Sequence, residues 1–134
     1  MVGNDRLSSF VTADGGGGLV RGDVAVSRWE PDPVRETHGS RLYVRDQDSG
    51  EVLGIAPADS GEGRVVFEAG AVELHRRRGG LAVRTRIAVA VRDDVELREV
   101  RVSNESGRPR RVRVLACLEP VLGSEREMAR HPVF

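Results

Sequence analysis

Residues 81–91 read LAVRTRIAVAV, and Leu81, Val83, Thr85, Ile87, Val89 and Val91 place an apolar or β-branched residue at every second position. That period belongs to a β-strand, whose successive side chains face opposite ways. Similar alternation runs through the flanking segments 64–77, 95–103 and 110–122. Between them lie Gly79-Gly80, Asp93-Asp94 and the stretch from Asn104 to Pro109, all turn formers. Residues 64–122 therefore predict an antiparallel meander of four segments. No catalytic constellation lies inside it.

Towards the N-terminus the strands are shorter. Phe10-Val11-Thr12 closes a first candidate, and four glycines, Gly15 to Gly18, follow Ala13-Asp14. A phosphate cradle would need a following Lys-Ser/Thr and a helix, so the glycines are assigned to a flexible or tightly turning loop. Asp23–Trp29 alternates again, and the two prolines of Glu30–Pro33 make a turn. Arg41–Asp46 is the next strand, Gln47–Gly50 a hairpin turn, Glu51–Ile55 the return strand, and 56–63 a second loop. Eight or nine short strands with Gly/Pro turns and no convincing helix predict an all-β antiparallel sandwich.

A chain of 134 residues is expected to form one module, burying roughly two-thirds of its unfolded surface. Within it, 1–63 form the N-terminal strands and loops, 64–122 the meander, and 123–134 a tail. The 21 basic residues, all arginine, balance 21 acids. No global field draws the chain to nucleic acid or a membrane. The arginine-rich runs 76–78 and 108–113 lack the interleaved aromatics of a single-strand binder and are assigned to solvated faces. Cys117 is the single cysteine, so no internal disulfide forms. No stretch reaches the roughly 18 apolar residues of a spanning helix, and no leader is visible, which gives a cytoplasmic expectation.

Several short motifs, in order, carry a resemblance. VTADGGGG (11–18), AVSRWEPDP (25–33), LYVRDQDSGEV (42–52) and DDVELREVRVSNESGRPR (93–110) resemble the N-terminal super-β-sandwich of glycoside hydrolase family 94, formerly glycosyltransferase family 36. That family includes cellobiose and chitobiose phosphorylases and the phosphorylase-like part of cyclic β-1,2-glucan synthases, the last being the nearer branch. Ser27-Arg28-Trp29 with Asp32 matches the family's Thr-Arg-Trp and Asp. Tyr43-Val44-Arg45-Asp46 matches its Tyr-Leu-Arg-Asp, and Asn104 with Ser106 its Asn-x-Ser. Leu53 stands where the family often has Trp. The resemblance implies a galactose mutarotase-like super-sandwich, here in partial or truncated form. It also implies a separate catalytic α/α barrel in the parent protein, and a parent whose cytoplasmic part can be membrane-associated. The module alone is then not catalytic.

Residue chemistry nominates Arg28, Trp29 and Asp32 as sugar contacts, because a pyranose stacks its C–H face on an aromatic ring while Arg and Asp serve hydroxyls. The competing reading puts Trp29 in the core with Arg28 and Asp32 as a structural clamp. Tyr43 and Arg45 share a strand face and are further candidates, with Arg45–Asp46 as a solvated pair the alternative. Aromatic content of 4% weighs against a dedicated lectin. Glu119 is the acid–base candidate of a free-standing aldose-epimerase-like enzyme, but no histidine pairs with it convincingly. His38, His75 and His131 lack metal-ligand spacing, so neither metal nor cofactor is expected. Asn104-Glu105-Ser106 is formally a glycosylation sequon and is assigned to a turn.

The run from Val114 to Leu118 has no polar face, and strands of that kind are covered on both sides. An uncovered patch predicts a homo-oligomer. The expected function is a carbohydrate-binding or supporting module of a carbohydrate-active enzyme, with a β-glucan or gluco-oligosaccharide and the parent's barrel as partners. The alternative is a structural, oligomerising module without glycan affinity.

Overall fold

The computed structural model describes residues 1–13, 15–29, 39–54, 62–124, 127 and 130, with the side chain of Glu62 outside that set. Asp32, His38 and His131, the Glu30–Pro33 turn, and most of the 56–63 loop and the tail lie outside the described residues.

The described residues form twelve strands. They are β1 (Val2–Gly3), β2 (Leu7–Val11), β3 (Gly17–Arg21), β4 (Val24–Ser27), β5 (Arg41–Asp46) and β6 (Val52–Gly54), then β7 (Glu62–Glu68), β8 (Ala71–Arg78), β9 (Leu81–Val89), β10 (Glu96–Asn104), β11 (Val112–Cys117) and β12 (Pro120–Ser124). Three antiparallel sheets result, ordered β1-β2-β3-β4-β12, β10-β9-β8-β7 and β11-β5-β6. The all-β sandwich expected from the alternation is the architecture found.

The four-stranded sheet is one layer, and the other two sheets pack on it. Val2 and Val11 of the five-stranded sheet and Leu42 of the three-stranded one bury against Val72, Leu74 and Ile87. A second cluster joins Val44 and Leu53 to Val83, with Val100 and Val102 packed alongside. The alternation of β9 explains this directly. Leu81, Val83, Thr85 and Ile87 are buried, while Arg84 and Arg86 between them face solvent.

Polar contacts tie the layers at both ends. At one end, Asn4 makes an Asx turn, accepting from the backbone N–H of Arg6 and Leu7 at 2.9 and 2.8 Å. Its amide donates across to Ala90 O at 2.8 Å, and Arg6 and Arg21 reach Asp94 at 2.9 and 2.6 Å. At the other end, Arg110 bridges Asp46, Gly79 and Ser106.

Three expectations are corrected. Segment 64–77 is not one strand but the hairpin β7–β8, turning at Ala69-Gly70, where Gly70 has φ 82°. The phase of the alternation already slips there, from Val65 and Phe67 on odd positions to Val72 and Leu74 on even ones. The meander ends at β10, and β11 crosses to the other layer to pair with β5, Val114 opposite Val44. Arg110, whose guanidinium is anchored on Asp46, Gly79 and Ser106, lies within that crossing. Finally, the glycine run is only partly a loop, because Gly17 and Gly18 open β3. A side chain at Gly17 would place its Cβ 1.8 Å from Phe10 O.

Candidate functional site

Trp29 follows β4 and lies against Phe10, ring centroids 4.6 Å apart and planes tilted by 54°. A Cβ on Gly18 would sit 2.8 Å from that of Trp29, so the glycine makes room for the indole. Phe10 alternates with the buried Ser9 and Val11 and is 41% exposed. The aromatic pair therefore sits on the outer face of the five-stranded sheet, not in the core between the layers. Trp29 itself is half-buried.

Arg28 and Glu119, nominated for different chemistries, come together. The Arg28 backbone N–H donates to Glu119 O at 2.9 Å, and the guanidinium lies 3.9 Å from the Glu119 carboxylate. This ties the end of β4 to the approach of β12. The Glu119 carboxylate thus lies within ion-pair range of an arginine, and the described partner of His75 is Glu73, at 3.3 Å. Asp32, the expected clamp partner of Arg28, lies outside the described residues.

Tyr43 and Arg45 share the outer face of β5, since Leu42, Val44 and Asp46 between them are buried. Across the strands Tyr43 faces Leu115 and Gly54, and Arg45 faces Arg113 and Val52. Arg45 and Asp46 do not form a solvated pair. Asp46 points inward, is 1% exposed, and takes its ion pair from Arg110.

The backbone N–H of Asp48 at 2.9 Å, opposed by burial and helped by Ser49 and Arg110, holds the Asp46 carboxyl below its usual range. Asn104 and Ser106 are equally structural. Asn104 Nδ2 donates to Arg108 O at 2.6 Å, while Ser106 donates to Asn104 Oδ1 from its backbone at 3.1 Å and its hydroxyl at 2.6 Å. The three motif residues thus build turns around Arg110, and the turn assignment for the sequon-like triplet holds.

Residues 1–134 match the family model described as Glycosyl hydrolase 94, supersandwich domain. The chain belongs to this family. It is also 29% identical over 140 residues to the cyclic beta-(1,2)-glucan synthase NdvB of Rhizobium meliloti (strain 1021). That match covers 100% of this chain and 5% of the relative, so the chain spans about one-twentieth of the relative's length. Among the described residues no helix is long and apolar enough to cross a membrane, and no three metal-ligating side chains converge.

Sequence reasoning missed Phe10 and Arg110. Phe10 was legible as an apolar residue on the polar side of an alternating strand. Arg110 was not, because its partners lie 64 and 31 residues away.

Proposed function

We propose that the chain is a non-catalytic sandwich module of a carbohydrate-active enzyme of the glucan phosphorylase or cyclic glucan synthase type. It supports the catalytic barrel of that protein and presents its outer aromatic face to a glucan. The Phe10–Trp29 pair carries this reading, because two rings held outside the inter-layer core form a platform for the C–H face of a pyranose. Tyr43 and Arg45 face away from the core on the three-stranded sheet and are further candidate contacts. Trp29 is the only tryptophan, so its fluorescence reports the platform alone. Titration with β-linked gluco-oligosaccharides should shift or quench that emission saturably. An unchanged spectrum with every oligosaccharide counts against glycan contact.

A specific observation favours a second reading, a structural module without glycan affinity. Asp46, Asn104, Ser106 and Arg28 all engage internal partners. The oligomeric contact belongs to either reading. Residues 111–120 are exposed throughout, and β11 ends its sheet with Val114 48% and Leu115 38% exposed. A second copy pairing antiparallel about Leu115 would set Val112 against Leu118 and Val114 against Ala116. Such a self-complementary row suits a two-fold contact.

A further inference from the structure

On the outer face of the four-stranded sheet, register assembles a row invisible in the linear sequence. Arg64 of β7 stands opposite His75 of β8, His75 opposite Arg84 of β9, and Arg84 opposite Arg101 of β10. With strands about 4.8 Å apart, this row of basic side chains covers about 14 Å. Within the row Arg84 and Arg101 are like charges directly opposite, an arrangement that costs a sheet stability unless acids offset it. Glu73 takes both arms of Arg84, lies 4.0 Å from Arg86 and contacts His75. Glu99 pairs with Arg101 and Glu105 with Arg77, each at 3.3 Å. Five arginines thus face four glutamates, counting Glu68, whose charge also acts on Arg84, and Arg64 has no carboxylate partner among the described residues. The row borders a concavity of about 540 Å³, which Arg77 and Ser103 also line. Small-ligand sites typically have volumes of this order.

We infer that this concavity binds a phosphoryl-class oxyanion, free or carried on a small molecule, gripped by Arg64 and Arg101 with Arg84 between them. Guanidinium forks match tetrahedral oxyanions in charge and in geometry. The length of the row favours two linked phosphoryl groups over one. The site is independent of the glycan platform, which lies on the opposite layer.

Calorimetric titration of the whole chain at low salt tests this, with inorganic phosphate, pyrophosphate, glucose 6-phosphate and glucose as probes. Pyrophosphate should bind more tightly than phosphate, and glucose should be silent. Tighter binding of glucose 6-phosphate than of phosphate identifies a carried phosphoryl group, and the reverse a free one. Arg64→Gln removes an exposed side chain that has no ion-pair partner among the described residues, and circular dichroism checks its fold. It should weaken binding about tenfold, whereas Arg92→Gln on the β9–β10 turn should not. No saturable binding by any phosphorylated probe, or equal losses in the two variants, would overturn the inference.

Discussion

Arg110 Nη1 donates to the buried carboxylate of Asp46, while Nη2 donates to Gly79 O at 2.7 Å and Nε to Ser106 Oγ at 3.2 Å. One side chain thereby joins the β5–β6 turn, the β8–β9 turn and the β10–β11 crossing. Removing either partner leaves a buried charge uncompensated, which destabilises more than the intact pair stabilises. Asp46→Ala and Arg110→Ala should each lower Tm by about 5–10 °C. In urea unfolding the double variant should lose clearly less than the sum of the two. Additive losses would show that the two residues act separately.

Acid should unfold the domain through its carboxylates. Asp46, Asp48, Glu73 and Asp94 are all held below their usual range. The causes are, in turn, the Asp48 backbone N–H, the Arg111 backbone N–H, the Arg84 guanidinium and the Arg21 guanidinium. The native state then binds fewer protons than the unfolded chain. The resulting stability is complete above the unfolded carboxylate range and is lost as pH falls through the lower native values. Tm should therefore hold from neutral pH to about pH 5 and fall steadily below about pH 4. A Tm that rises on acidification would contradict this sign.

Gly18→Ala tests how Trp29 is seated. The added Cβ would meet the Trp29 Cβ at 2.8 Å, a distance real side chains do not tolerate. The substitution should cost about 1–3 kcal/mol and shift the tryptophan emission to the red. Unaltered stability and emission would place the indole elsewhere.

Fold class was legible because a buried face imposes its period on the sequence, as Leu81, Val83, Thr85 and Ile87 do. Partnering was less legible. Periodicity shows which way a side chain faces but not which strand lies beside it, so β11 looked like the next strand of the meander. It pairs instead with β5, where Val112 stands opposite Asp46 at a separation of 66 residues. The aromatic half of the candidate site could be named from Trp29 alone. Its seating depends on Gly18, whose contribution is an absence of atoms that no motif displays. The basic row of Arg64, His75, Arg84 and Arg101 exists only once four strands are in register.

The exposed edge at β11 makes a concentration-dependent prediction. Light scattering at about 10 µM, a concentration within reach of ordinary interface affinities, should report a dimer or larger species. Val114→Glu should return it to monomer by placing like charges within the paired row. A monodisperse monomer of the unaltered chain would sink the contact.

Glycan contact through Trp29 is tested most directly by calorimetric titration of the whole chain against β-1,2- and β-1,4-linked gluco-oligosaccharides, beside a folded Trp29→Ala variant. The account predicts millimolar or tighter binding to at least one linkage, abolished in the variant. Silence across the series, or binding that survives loss of the indole, would contradict it.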